Sequence, residues 1–239
     1  MVGRALPGTS PYAGDDGSAD PALAAALATH EGGAYAGRAV VAALGDARLL
    51  VPVLAELEAS GTTAEGLHVD KEASAGVVAL RTPDGRTALP VFTSVAAMSA
   101  WHAQARPVPA SGRRAAAACL AEGWHVLVVD PAGPVTAVVP APAVRALAEG
   151  GAWAPVVVDG RVEPALVAGV AAATSEVAHV AHVDVVPGRS AEVAVVVGVR
   201  PGLDRTTLDG VLAAVGQTLG ATELATRADS VELRVVTAS

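Results

Sequence analysis

The chain has 239 residues, of which 52% are hydrophobic and only 3% aromatic, and its formal net charge is −8. This length allows one or two domains with a sizeable core, which has to be built mainly from Ala, Val and Leu. Acidic residues number 24 against 16 basic ones. Nucleic-acid binding is therefore not expected, because proteins of that class normally present a basic face to the phosphates.

The first part of the chain predicts a tail followed by helices and strands. Residues 1–19 are rich in Gly, Pro, Ser and Asp, which is typical of a flexible tail. Asp20 followed by Pro21 is typical of a helix start. The pattern then predicts helices over 21–31 and 34–44, a strand over 48–54, a loop over 59–74, and a hairpin of strands 75–81 and 86–92 joined by an Asp-Gly turn.

The middle of the chain continues the alternation of helices and strands. Ser94 and Ser111 are each suited to cap a helix. Apolar runs predict strands over 124–129 and 135–139, and a helix is predicted over 142–149. The stretch 151–161 mixes Gly, Trp, Pro and Val, and it is the candidate boundary between domains.

The last part predicts a compact α-β-β-α-β order. Its elements are a helix over 164–174, strands over 177–186 and 192–199, a helix after Asp204 and a final alternating strand over 231–235. We therefore predict an α+β protein of two small domains, each a mixed or antiparallel sheet with helices packed against it. The predicted limits are a tail 1–19, a domain 20–150, a linker 151–161 and a domain 162–239.

The common cofactor and nucleophile motifs are absent from the sequence. The only lysine, Lys71, follows no glycine-rich turn, which excludes a P-loop. Neither the Gly-x-Gly-x-x-Gly dinucleotide fingerprint nor a Gly-x-Ser-x-Gly elbow occurs. We expect no cofactor, although a Ser-His-Asp set assembled from distant segments stays open, because triads are recognised by geometry.

Cys119 is the one candidate thiol nucleophile, with His102 or His125 as its base. It lies on the apolar side of an alanine-rich predicted helix, where a free cysteine behaves as a small hydrophobe. The flanking residues provide no helix N-terminus or adjacent cation that would lower the pKa of the thiol, so the favoured interpretation is a core residue.

His179, His182 and Asp184 form the best metal candidate in the sequence. In the strand predicted there, the two histidines would point to opposite faces. His182 and Asp184 alone are too few for a tetrahedral site. We expect no metal.

Three segments together resemble a known family. They are Ala47-Arg48-Leu49-Leu50-Val51-Pro52-Val53, then Leu89-Pro90-Val91-Phe92-Thr93-Ser94 with Trp101 following, and Leu127-Val128-Val129-Asp130-Pro131-Ala132-Gly133-Pro134. This set resembles the SseB family, named for enhanced serine sensitivity, over about residues 20–150. The segment after residue 160 is similar to the C-terminal domain of that family. The resemblance implies a soluble bacterial protein of poorly defined activity, and it supplies no catalytic residues.

The candidate binding residues are Phe92, Thr93, Trp101 and Asp130, at predicted strand ends that often carry sites. Phe92 and Trp101 also suit a second role, as an aromatic plug in a core of small residues. Two functions stay open: a non-enzymatic binding or regulatory protein, and an enzyme with an unrecognised hydrolytic or thiol-based site. The expected partner is a protein or small molecule, with homo-oligomers allowed. The sequence shows no apolar stretch suited to a membrane span or signal peptide, so we expect a cytoplasmic protein.

Overall fold

The computed structural model describes residues 12, 14–30, 35–54, 61–62, 68–70 and 77–238. These residues form an α+β protein, so the predicted fold class is confirmed. They divide into two compact units, residues 1–153 and residues 154–239. None of the described helices combines the length and the apolar character needed to span a bilayer.

The helices of the first unit begin where the sequence provides caps. They are α1 (Pro21–Ala28), α2 (Arg38–Leu44), α3 (Val95–Trp101), α4 (Gly112–Ala121) and α5 (Ala141–Glu149). The Asp20 carboxylate accepts hydrogen bonds from the first-turn amides of α1, and Ser94 and Ser111 cap α3 and α4 in the same way. Helix α5 ends at Gly150, whose φ of 73° is readily adopted only by glycine.

The main sheet of the first unit is mixed. Its strands are β2 (Gly61–Thr62), β3 (His68–Asp70), β4 (Ala79–Arg81), β5 (Thr87–Val91), β7 (Val126–Val129) and β8 (Ala137–Val139). All neighbouring pairs in the order β2-β3-β4-β5-β7-β8 are antiparallel except β5 and β7, which are parallel. The carboxyl ends of β5 and β7 therefore lie side by side at one edge of the sheet.

A separate antiparallel pair joins this edge. It consists of β1 (Arg48–Val53) and β6 (Arg106–Ser111). Leu50 exchanges two main-chain hydrogen bonds with Phe92, of 2.8 and 2.9 Å, so β1 reaches the residue after β5. The sequence pattern does not predict strand β6, because its two prolines disfavour a ladder. Among the described residues β6 pairs with β1 alone, as proline-containing strands at sheet edges do.

The core of the first unit is built from small and aliphatic side chains. Helices α1, α2, α4 and α5 bury Leu, Val and Ala against β5, β7 and β8. Fully burying each Leu or Val contributes about 1.5–3 kcal/mol. Two main chains approach closely where glycine leaves room: a Cβ at Gly112 would lie 1.8 Å from the Leu44 carbonyl oxygen.

The second unit has the predicted α-β-β-α-β order with additions. Its elements are β9 (Val157–Val158), β10 (Arg161–Val162), α6 (Pro164–Thr174), β11 (Val180–Pro187), β12 (Val193–Val199), α7 (Arg205–Gly220), α8 (Leu224–Arg227) and β13 (Val231–Thr237). The sheet order is β11-β12-β13, with the first pair antiparallel and the second parallel. Side chains from α6, α7 and α8 share one apolar core with β11 and β12.

Three further segments differ from the sequence prediction. The loop predicted over 59–74 contains the short strands β2 and β3, which pair with each other, and β3 also pairs with β4. Lys71 and the helix stop predicted at 32–33 lie outside the described residues. The linker predicted over 151–161 contains β9 and begins β10, joined by Asp159 and Gly160 with φ of 51° and 69°, the geometry of a tight hairpin turn. Part of the predicted flexible tail, residues 14–18, is fastened to the first unit by the hydrogen bonds described below.

Candidate functional site

Thr93 and Asp130 lie together where β5 and β7 end. The Thr93 amide donates to Oδ1 of Asp130 at 2.8 Å, and the Thr93 hydroxyl donates to Oδ2 at 2.7 Å. The Asp130 amide in turn donates to the Val91 carbonyl at 2.9 Å. One carboxylate thus binds the end of the neighbouring strand through both of its oxygens, and it locks the two strand ends together.

The Asp130 carboxylate belongs to a buried residue. Asp130 is 7% exposed and Thr93 is 5% exposed. Burial raises the pKa of Asp130 above its ordinary value, and the two hydrogen bonds from Thr93 oppose that shift. A buried carboxylate that accepts two hydrogen bonds primarily fixes the position of the main chain. Altered pKa values of this kind are also found at functional sites.

Phe92 and Trp101 form a second contact group beside the first. Their ring centroids are 5.2 Å apart with planes tilted by 37°, and Leu50 and Met98 complete the cluster. Phe92 is fully buried, whereas Trp101 is half-buried, and its indole N–H finds no hydrogen-bond partner among the described residues. The four candidate residues therefore form two adjacent pairs, joined by the Phe92–Thr93 peptide.

The loop after β7 is held in a strained shape. Asp130 and Ala132 have φ of 47° and 65°, in the left-handed region that non-glycine residues rarely adopt. The Asp130 carbonyl accepts hydrogen bonds from the Gly133 amide and the Thr136 hydroxyl, both of 2.9 Å. We call residues 130–136 the Asp130 loop; its Ala132, Pro134 and Thr136 are exposed.

Arg48 fastens a third segment to the same edge. Its guanidinium donates to the Thr93 carbonyl at 2.9 Å and to the Ser18 carbonyl, and it forms an ion pair with Asp15 at 2.7 Å. The Val95 amide donates to the Gly17 carbonyl at 2.9 Å. This contact is not predictable from the sequence, since Asp15 resembles part of a solvated tail and Arg48 lies 33 residues further along, at the start of β1.

Cys119 does not resemble a thiol nucleophile. It is fully buried, and its Sγ donates to the Val126 carbonyl at 3.4 Å. Burial raises the pKa of the thiol to about 12, and hydrogen bonds to the main chain only partly oppose this. His125 is exposed, and the half-buried His102 accepts a hydrogen bond from the Gln104 amide at Nδ1, of 3.3 Å.

The histidines of the second unit are separated by an irregularity. His179 precedes β11 with φ of 65°, and its carbonyl accepts from the Arg200 amide at 2.9 Å. A register shift between Val180 and His182 follows, and the His182 ring lies against Gly198. Among the residues that the structure describes, no three His, Cys, Asp or Glu side chains gather as metal ligands would.

Sequence reasoning missed a small groove in the first unit. Arg38, Arg113, Leu147, Gly150 and Trp153 are among the residues that line this space of about 150 Å³. Arg113 is already paired with Asp46 at 3.2 Å, and the Trp153 indole N–H has no partner among the described residues. Only Trp153 carried a signal in the sequence, as one of the few large aromatics.

The comparisons with known proteins define the family. Residues 23–146 match the model of the SseB protein N-terminal domain. This match covers β5, β7, the Asp130 loop and both pairs of candidate residues. Searches of curated proteins and of solved structures give no match. The matched residues make up more than half of the chain, and the protein therefore belongs to the SseB family.

Proposed function

We propose that this SseB-family protein is a non-enzymatic binding or regulatory protein, and that its partner binds the strand-end surface formed by the Asp130 loop and the adjacent start of α3. Phe92, Thr93 and Asp130 are too deeply buried to touch a partner directly. Their role in the proposal is to hold the exposed residues Ala132, Pro134 and Val95 in one arrangement. Trp101 is the one member of the set that is itself half-exposed.

The observation that carries the proposal is the left-handed conformation of Ala132. An L-residue other than Gly, Asn or Asp loses about 1–2 kcal/mol in this conformation. Ala132 is exposed and buries no side chain in return. Strained residues of this kind persist where hydrogen bonds over-determine the chain, and they cluster at functional sites.

Rigidity of the loop supports binding. Pro131 and Pro134 restrict the main chain, and the Asp130 carbonyl and carboxylate hold the loop at both ends. A surface that is ordered before the partner arrives loses little conformational entropy on association. This favours affinity for a protein or small molecule, and it gives no role to a reacting group.

The alternative, a thiol-based enzyme, receives no support from Cys119. A thiolate is the reactive form of cysteine, and a pKa of about 12 leaves very little of it at neutral pH. An enzyme of another kind would need a reactive side chain other than the residues on which this proposal rests. We therefore keep binding as the function that the geometry favours.

Affinity capture with paired baits tests the proposal. The full chain and its Pro134→Gly and Ala132→Asp variants are immobilised and exposed to a bacterial lysate, and the captured proteins are quantified. Pro134→Gly loosens the loop, and Ala132→Asp adds a charge at its tip, while neither touches a buried contact. We expect a partner of the wild-type bait to be lost from both variants. Equal capture by all three baits, each shown to be folded, would contradict the strand-end surface.

A matched control locates the effect. Ala213→Asp adds the same charge on α7 in the second unit, away from the loop in sequence and in a different compact unit. This variant should retain the partner. Hydrolysis of a test ester or peptide by the wild-type chain, lost on substitution of a loop residue, would replace binding with the enzyme alternative.

A further inference from the structure

Strand β13 forms an open edge of the sheet in the second unit. It pairs with β12 on one side, and no strand among the described residues pairs with its other side. Its seven residues contain no Pro and no Lys, the residues that usually protect such edges from association. Val231, Leu233 and Val235 are 41%, 40% and 41% exposed.

The hydrogen bonds to β12 show which main-chain groups are left at that edge. The Ser230 carbonyl accepts from the Val193 amide, and the Ala238 amide donates to the Val199 carbonyl. Even-numbered residues therefore direct their N–H and C=O groups towards β12. Because the direction of the main-chain N–H and C=O groups alternates from one residue to the next along a strand, these groups of Val231, Leu233 and Val235 point away from β12.

The same three residues place their side chains on the apolar face. Val231, Leu233 and Val235 stand beside Val193, Val195 and Val197 of β12, which belong to the core. Val231 and Leu233 also line an apolar groove of about 280 Å³ between β13 and the helices α7 and α8. The edge thus offers unpaired hydrogen-bonding groups and exposed apolar side chains together.

We propose that the occupant of this edge is a second copy of the chain, with β13 pairing antiparallel to β13 of the other copy about a twofold axis at Leu233. In this register Val231 lies opposite the other copy's Val235, and Leu233 lies opposite its own counterpart. These are the residues whose main-chain groups point outwards, and each such pair exchanges two hydrogen bonds. The two sheets become one continuous sheet, with α7 of both copies on the same face.

Charge selects this register over its neighbours. An axis at Leu233 places Glu232 of each copy opposite Arg234 of the other, so both cross-strand pairs are of opposite charge. An axis at Arg234 would place two arginines opposite each other, and an axis at Glu232 would place two carboxylates there. Registers shifted by one residue are excluded, because the apolar side chains of one copy would then lie on the face opposite to those of the other copy.

The two charged residues are already ordered for this contact. Glu232 accepts hydrogen bonds from the Arg189 amide at 2.9 Å, the Ser190 amide at 3.3 Å and the Ser190 hydroxyl, and it pairs with Arg234 of its own strand. The turn at Arg189 and Ser190 therefore fixes the carboxylate, and Arg234 lies along the strand beside it. Dimer formation has few side-chain rotamers left to restrict.

Mass and cross-linking test the dimer and its register. Light scattering coupled to gel filtration should give twice the chain mass of 23.5 kDa at micromolar concentration. In Leu233→Cys, the two thiols face each other across a pair whose Cα atoms are about 5.5 Å apart, a distance that a disulfide spans. We expect mild oxidation to give a cross-linked dimer, whereas Val235→Cys, whose thiols would lie about 14 Å apart along the strands, should give little.

The native Cys119 does not interfere with the cross-linking of the cysteine variants, since it is buried. Arg234→Glu should weaken dimerisation about tenfold by creating two like-charge pairs. Arg205→Glu, which makes the same charge change on an exposed side chain of α7, should leave the dissociation constant unchanged. A monomer at all concentrations up to about 100 μM, a dimer that Leu233→Cys does not cross-link, or equal cross-linking of both cysteine variants would overturn the proposal.

Discussion

The hydrogen bond between the Thr93 hydroxyl and Asp130 can be tested by changing one atom group. Thr93→Val replaces the hydroxyl by a methyl group of similar size, so Oδ2 of Asp130 loses its donor at 2.7 Å. The matched control, Thr93→Ser, keeps the hydroxyl and removes the methyl group. The two variants thus separate the hydrogen bond from the packing around it.

The expected magnitudes follow from burial. A hydrogen bond to a charged group contributes about 1.5–3 kcal/mol, and the low exposure of both residues places this one within that range. Loss of one buried methyl group costs about 0.8 kcal/mol. Thr93→Val should therefore lower the free energy of unfolding by about 1 kcal/mol more than Thr93→Ser does.

Tryptophan fluorescence during urea unfolding gives a suitable assay. Trp101, Trp124 and Trp153 are the three tryptophans of the chain, and all lie in the first unit. Their signal reports unfolding of the unit that contains Thr93, even if the second unit unfolds separately. A change in the urea midpoint without a change in slope would show that stability alone is altered.

The pH dependence gives a second readout of the same bond. The folded-state pKa of Asp130 is raised above 3.8 because the group is buried. Its stability contribution is therefore full below pH 3.8 and is lost as the pH rises through the folded-state pKa. The difference in unfolding free energy between the valine and serine variants should narrow as the pH falls through the folded-state pKa of Asp130. Equal unfolding free energies for the two variants at neutral pH, within about 0.5 kcal/mol, would refute the reasoning.

The remaining predictions concern three other positions. Cys119 should react with a thiol reagent only at the rate at which the first unit unfolds, and fast labelling of the native protein would contradict its core position. Gly112→Ala should lower the melting temperature markedly, since its Cβ would meet the Leu44 carbonyl oxygen at 1.8 Å, whereas Gly169→Ala, with open space around it, should be neutral or stabilising. The pKa of Glu232 is lowered to about 2 by its hydrogen bonds, so its stabilising effect is present above pH 4.5 and is lost as the pH falls through about 2; Glu232→Gln should remove this part of the acid sensitivity in a pH titration of unfolding.

Elements marked by local chemistry could be predicted from the sequence. Helices α1, α3 and α4 begin after Asp20, Ser94 and Ser111, because each side chain accepts hydrogen bonds from the first turn wherever the helix packs. The hairpin of β4 and β5 follows from its Asp-Gly turn, with Gly85 at φ of 84°. These signals depend on neighbours along the chain and not on the tertiary fold.

Elements that depend on distant partners could not be predicted. Strand β6 contains two prolines, and it exists because β1 offers an edge more than 50 residues away in the chain. The contact of Asp15 with Arg48 is likewise invisible in a sequence where both stand in unremarkable surroundings. The candidate site shows the same division: the strand ends were predictable, whereas the Thr93–Asp130 bond depends on β5 and β7 being parallel neighbours.

Three carboxylates of this protein bind main-chain amides of segments that are distant in the sequence. Asp130 binds the Thr93 amide, Glu232 binds the Arg189 amide, and Glu192 binds the Asp229 amide at 2.7 Å. Each carboxylate connects segments at least 37 residues apart. Carboxylates used in this way hold loops rigid, and a loop held rigid is what the proposed strand-end surface requires.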